Sequence, residues 1–245
     1  MYLMAKLFES HDPTKFKIYA YSFGPDKKDE MRQRLVKAVD FFRDVRKNSD
    51  KAIAQLAQKD KIDIAVDLKG YTQLARPCIF SYRAAPIQIS YLGYPGTSGS
   101  ACMDYIIADK VVIPKSFETS YSESIIHLPH SYQVNDNTRI ISESIPTKLE
   151  MGLPENGFVF CCFNSNYKIS PSAFNIWMHL LREVKGSVLW LLKSNQWAKH
   201  NLCAEAESRG ISANRLVFAE PISQARHLAR LRLADLFIDT FNYNA

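Results

Sequence analysis

Phe158-Val159-Phe160-Cys161-Cys162-Phe163-Asn164-Ser165-Asn166-Tyr167-Lys168-Ile169-Ser170-Pro171 is the stretch on which the reading of this chain turns. Its first half is unbroken apolar sequence, the pattern of a strand covered on both faces, as in parallel sheets. A polar loop follows. Ser170-Pro171 then opens a helix running to about Val184, with proline in the first turn, where its missing N–H costs nothing. Strand, loop and helix in that order make the unit of a doubly wound α/β sheet. A helix start attracts phosphate through its free N–H groups and its dipole. Lys168 stands just before this one, so the two together can stabilise a diphosphate leaving group. A surface lysine beside an ordinary cap fits the same residues.

Downstream the pattern repeats. Ser187 to Leu192 reads as a strand, Leu202 to Arg209 as a helix stopped by Gly210, and Leu216 to Phe218 as a strand. Ser223 is placed to cap a helix to about Leu233, and Leu236 to Asp239 forms the last strand. On that helix His227 and Arg230 share a face one turn apart, suited to an anionic or aromatic ligand, or simply a surface pair. Upstream, Lys17 to Phe23 alternates as a strand and is broken by Gly24-Pro25-Asp26. Asp29 to Val39 has helical periodicity, and Ser49-Asp50 caps a helix to about Lys59. Ile62 to Leu68 is a strand ended by Gly70. A short helix spans about Ala75 to Tyr82, and strands follow at Ile87 to Leu92, Tyr105 to Ala108 and Ser124 to Leu128. The expectation is α/β: two Rossmann-like parallel-sheet domains in tandem, 1–134 and 151–245, joined by a polar linker at 135–150, with the second domain incomplete.

Leu92-Gly93-Tyr94-Pro95-Gly96-Thr97-Ser98-Gly99 follows a strand, where open α/β sheets carry ligand loops. Glycines let backbone N–H groups approach a ligand closely, but a tight turn without a ligand needs them too. It is neither GxGxxG nor a Walker sequence. No Asp-x-Asp, His-x-x-x-His or G-x-S-x-G occurs, which disfavours acidic-doublet metal sites and serine-hydrolase elbows. His127, His130 and His179 read as structural or solvent-facing.

The 245 residues carry a net charge of +6, with 47% hydrophobic and 23% charged residues, an ordinary globular balance. The charges are mixed, as where Lys27 and Lys28 sit beside Asp26, Asp29 and Glu30, so no nucleic-acid face is marked. Five cysteines without CxxC spacing argue for reduced, mostly buried thiols in a cytoplasmic protein. No signal peptide and no run of the ~18 apolar residues that a membrane span needs is seen. The abrupt ends, the second being Asn242-Tyr243-Asn244-Ala245 directly after a strand, suggest a piece of a longer protein.

Taken together, the blocks Asp67-Leu68-Lys69-Gly70-Tyr71-Thr72, Arg83-Ala84-Ala85-Pro86-Ile87-Gln88, the Gly-rich turn, Met103-Asp104-Tyr105-Ile106, Tyr121-Ser122-Glu123, Phe163-Asn164 with Tyr167 to Pro171, and Leu233-Ala234-Asp235 with Asp239 resemble consecutive blocks of protein O-GlcNAc transferases. The resemblance covers nearly the whole chain. It implies a GT-B fold with the active site between two Rossmann-like domains. It implies transfer of N-acetylglucosamine from UDP-GlcNAc to Ser or Thr hydroxyls of proteins, with inversion, no cofactor and no required metal. It places Lys168 at the donor diphosphate, Asn164 among the donor-binding residues, His227 and Arg230 at the nucleotide, Leu92, Gly93 and Pro95 beside the sugar, and Tyr71 on the acceptor and sugar side. Helical TPR repeats that hold the acceptor would precede the chain.

The sequence departs from the family at three points. Animal members have histidine at the position of Phe41, and Ser165 and Gln73 also differ. Phe41 cannot act as a base, so the general base is left open and the piece on its own is expected to be inactive. A bacterial relative using another sugar or acceptor, and a sugar-nucleotide-binding module without catalysis, are the alternatives.

Overall fold

The structure, a computed structural model, describes residues 2–26, 28–241 and Asn244. Lys27 and the end residues Asn242, Tyr243 and Ala245 lie outside the described residues. The chain divides into two compact units, Met1–Thr138 and Arg139–Ala245.

The first unit runs α1 (Ala5–Glu9), β1 (Tyr19–Ser22), α2 (Glu30–Ala38), β2 (Phe41–Asp44), α3 (Asp50–Lys59), β3 (Ile64–Asp67), α4 (Cys78–Ser81), β4 (Ile87–Tyr91), β5 (Tyr105–Ala108) and β6 (Ser124–His127). Its helix starts are chemically specified. The Asp29 carboxylate accepts from the Arg32 N–H to cap α2, and Ser49 Oγ accepts from Ala52 N–H to cap α3. β1 and β2 pair in parallel, and β3-β4-β5-β6 form a four-stranded parallel sheet in that order. β2 was not expected from the sequence. Its Phe-Phe-Arg-Asp run is too short and too charged to announce a strand, and partners far along the chain hold it: Arg43 pairs with Asp60, and Arg32 with Asp44. Gln88, fully buried on β4, spends its amide on Ala84 N–H and on the carbonyls of Phe80 and Cys102, tying α4 and the start of β5 to the sheet.

The second unit runs β7 (Val159–Cys162), α5 (Pro171–Glu183), β8 (Val188–Leu192), α6 (Gln196–Ser208), β9 (Leu216–Ala219), α7 (Gln224–Arg230) and β10 (Leu236–Phe237). All pairings are parallel, in the order β10-β7-β8-β9. The apolar run of β7 is covered on both sides. Phe160 and Cys162, with Leu189 and Leu191, pack under α5 against Phe174, Trp177, Met178 and Leu181. Val159, Cys161 and Trp190 face the opposite layer, with Leu153, Ala219 and Leu233. This double burial explains the loss of polar alternation. Two helix boundaries differ from expectation. α6 starts at Gln196, not near Leu202, because Asn195 caps it by accepting from Ala198 N–H. α7 ends at Arg230 and gives way to a 3-10 turn over Leu231–Leu233, and Ser223 makes no side-chain cap.

Candidate functional site

In the second unit the chain returns from β9 to lay β10 beside β7 instead of extending the sheet. The order β9-β8-β7-β10 is that of a Rossmann half, and its direction reverses between β7 and β10. Connections on the two sides of such a reversal leave to opposite faces, so a crevice opens at the carboxyl ends of those strands. Asn164 sits at the end of β7, nearly buried, and its Nδ2 donates to Asp239 Oδ1 and to Thr240 Oγ1, each at 2.8 Å. This knot joins the loops that follow the two strands. Lys168 lies four residues on, in a 3-10 turn, partly exposed, with Nζ donating to Asn244 O at 3.1 Å. The α5 start offers less than expected. Ser170 Oγ already accepts from Ala173 N–H, and Pro171 has no N–H to give. The positive charge here is therefore carried by Lys168 more than by free helix amides.

His227 and Arg230 come together on α7, but not as a surface pair. Arg230 is 1% exposed. Its guanidinium donates to Glu220 O at 2.7 Å and to His227 Nδ1 from Nε at 3.1 Å and Nη2 at 2.7 Å. It also stands over the rings of Phe163 and Trp190, 5.0 and 5.7 Å from their centroids. No carboxylate among the described residues pairs with it, and burial lowers its pKa. A guanidinium only donates, so His227 Nδ1 must accept and the ring proton sits on Nε2. Burial first, and the Arg230 charge second, lower the His227 pKa and favour the neutral ring. The His227 ring leans on Phe163, with centroids 5.1 Å apart. Arg230 is thus a buried support that fixes a tautomer, and His227 is the part left accessible.

In the first unit the Gly-rich loop leaves β4 on Leu92, whose φ of +65° is the left-handed region that bulky residues avoid. A side chain at Gly93 would meet Leu68 O and come within 2.8 Å of Lys69 Cα, so only glycine lets the loop cross the end of β3. Pro95 O accepts from Tyr121 O–H at 3.0 Å, and Ser98 O from Tyr71 O–H at 2.6 Å. Tyr71 is exposed and meets Tyr94 edge-on. A cavity of about 200 Å³ lies behind the loop, lined among others by Tyr71, Tyr94, Ser98, Cys78 and Cys102. Leu92, Gly93, Pro95 and Tyr71 therefore belong to one local structure. Phe41 begins β2, stacked on Tyr19 at 4.3 Å. Sequence reasoning assigned no task to Glu123, Glu220 O or Thr240. The first lay inside a quoted block; the other two carried no local signal.

Among the described residues no group of His, Cys, Asp and Glu is arranged to hold a metal ion, and no helix is long and apolar enough to cross a membrane. His127 Nε2–H donates to Ile113 O at 3.0 Å, and His179 lies on the α5 surface near Glu183. Cys161 and Cys162 are buried free thiols, Cys161 pushed up to about 12 by its burial.

Successive parallel α/β units, the second with the strand-order reversal of a Rossmann half, define the GT-B-like class. The profile of glycosyl transferase family 41 matches residues 1–144 and 140–245. The chain is 36% identical over 244 residues to the probable UDP-N-acetylglucosamine–peptide N-acetylglucosaminyltransferase SEC of Arabidopsis thaliana, covering 98% of this chain and 25% of that protein. It is 28% identical to the protein of the same description named SPINDLY from Arabidopsis thaliana, covering 95% of this chain and 26% of the relative. A solved structure of a mutant Thermobaculum terrenum O-GlcNAc transferase superposes with a TM-score of 0.89 at 28% identity, over 100% of this chain and 46% of that one. The chain belongs to glycosyl transferase family 41. It spans about a quarter of the length of these curated relatives.

Proposed function

We propose that the protein carrying this chain transfers N-acetylglucosamine from UDP-GlcNAc to Ser or Thr hydroxyls of protein acceptors, inverting the anomeric centre and using no metal or cofactor. The relatives' names point to this donor and acceptor class. The observation that carries it is the placement of Asn164 and Lys168 in the loop that follows β7, at the β7/β10 reversal, with Asn164 bound to the loop after β10. A diphosphate seated there would face the Lys168 ammonium. His227, neutral and donating from Nε2, would address the nucleotide. The loop at Leu92, Gly93 and Pro95 would offer backbone to the sugar, with Tyr71 beside it.

In the reaction the acceptor hydroxyl oxygen forms a bond to the anomeric carbon and gives up its proton to water, as the bond from that carbon to the β-phosphate oxygen breaks. The electron pair leaves with UDP, and Lys168 offsets the charge that grows there. TPR repeats elsewhere in the full-length protein would present the acceptor.

The test is Lys168→Met in the full-length gene product, with UDP-GlcNAc and a Ser/Thr peptide. Loss of a donor aimed at developing charge lowers kcat by about 10²–10³. Lys168 is partly exposed, so the unfolding temperature should stay close to that of the parent. Unchanged kcat in the variant, or a parent that binds no UDP-sugar, refutes the reading.

A further inference from the structure

We propose that Glu123 is a positioning residue for sugar transfer: its carboxylate holds the loop 92–99 in the one shape that suits the transferred sugar. The inference deepens the reading above and rests on it. The loop has little rigidity of its own, since three of its eight residues are glycine. It leaves β4 through the strained Leu92, so its shape must be imposed from outside.

Most of that constraint comes from one side chain. Glu123 immediately precedes β6 and is 4% exposed. Oε1 accepts from Ser98 N–H at 2.7 Å and from Ser98 Oγ, while Oε2 accepts from Thr97 Oγ at 2.7 Å and Ser122 Oγ at 3.2 Å. Thr97 Oγ in turn accepts from Gly99 N–H at 3.1 Å and Ser122 N–H at 3.2 Å. The two oxygens therefore govern residues 97 and 98 directly and 99 through Thr97. Two residues earlier, Tyr121 takes Pro95 O. No cation among the described residues pairs with Glu123, so the loop is what satisfies this buried carboxylate. The segment Tyr121-Ser122-Glu123 acts as a clamp and the Gly-rich turn as the part it grips.

Glu123→Gln keeps the size and breaks the pattern. The amide supplies one acceptor oxygen where the carboxylate supplied two. If its oxygen stays on Ser98 N–H, its NH₂ group confronts Thr97 Oγ, which already accepts two N–H groups. In the full-length gene product, with UDP-GlcNAc and a Ser/Thr peptide, we expect the KM for UDP-GlcNAc to rise about tenfold. The Kd for UDP alone should stay within twofold, because the nucleotide side is built by other residues. Thr97→Val and Ser98→Ala remove the grip from the loop side. They should reproduce the KM effect in part, and they serve if Glu123→Gln fails to fold.

A merely structural Glu123 predicts a lower unfolding temperature with KM and kcat of the folded enzyme unchanged; that result overturns the proposal. So does an equal loss of UDP and UDP-GlcNAc affinity. A parent that turns over UDP-GlcNAc while all three variants match it defeats the role of Glu123 alone. A parent that neither binds nor uses a UDP-sugar defeats the underlying reading as well.

Discussion

Arg230→Met separates stability from ligand binding in the second unit. The side chain is 1% exposed and lacks a carboxylate partner among the described residues. The variant loses the charged hydrogen bonds to Glu220 O and His227 Nδ1, each worth about 1.5–3 kcal/mol. It also loses the attraction to the Phe163 and Trp190 rings, about 1–2 kcal/mol when desolvated. Against this stands the effective desolvation cost of a buried ion, several kcal/mol, which methionine of similar length removes. The two sides nearly cancel, so the net change in stability is within about 2 kcal/mol.

Binding has no such cancellation. Losing the positive charge and the His227 tautomer together weakens UDP by about 1.5–3 kcal/mol, roughly ten- to 150-fold in Kd. Calorimetric titration of UDP and thermal unfolding on the same preparation measure both. The His227 pKa supplies a third readout. It is lowered by burial and by the Arg230 charge, so removing the charge raises it part of the way back toward the ordinary 6.5, followed by NMR of the imidazole protons. A folded variant with UDP affinity within twofold of the parent and an unmoved His227 pKa would show that the pair has no part in binding.

The neutral His227 also sets a pH signature. Its folded pKa lies below the ordinary value, so its stabilisation is complete above about pH 6.5 and drains away as pH falls through the folded pKa; His227→Gln should flatten that part of the stability profile. Gly93→Ala puts a methyl against Leu68 O and 2.8 Å from Lys69 Cα, displacing the loop at a cost of about 1–3 kcal/mol. It should raise the KM for UDP-GlcNAc while UDP affinity holds, and equal KM values would discredit the crowding argument. Asn164→Asp replaces two amide donations with a carboxylate facing Asp239. Near neutral pH it should cost about 2–4 kcal/mol in urea unfolding, and the deficit should shrink in acid as the new group protonates; a pH-independent deficit counts against the knot.

How far the sequence carried the fold depends on the range of the interactions that make each element. The β7 run was legible because burial on both faces writes itself into consecutive residues, and the helices after Ser49 and Ser170 because their caps are local. β2 was not, since Arg43 and Asp44 find ion-pair partners 17 and 12 residues away, at Asp60 and Arg32. The start of α6 was hidden for a different reason: Ala206 is its only buried residue among those described, so little periodicity exists to read. Within the site, the residue types were legible and their depth was not. Arg230 resembles a surface arginine in sequence because the carbonyl it answers is ten residues upstream, at Glu220.

The same distinction explains why the crevice could be suspected but not located. Each strand of the second unit announces itself, yet nothing in β10, two residues long, says that it lies beside β7 and not β9. That choice is made by contacts across some 75 residues: Asp235 N–H to Val159 O, Val159 N–H to the Asp235 carboxylate, Ile238 N–H to Cys161 O, and the Asn164 amide to Asp239 and Thr240. The reversal of direction, and with it the opening at the strand ends, exists only once these close. Asn164 therefore has two tasks: it holds β10's loop against β7, and by doing so it anchors the start of the loop that carries Lys168. A substitution that loosens the first should degrade the second even where the ammonium is untouched, so Asn164 and Lys168 variants should combine less than additively in UDP affinity.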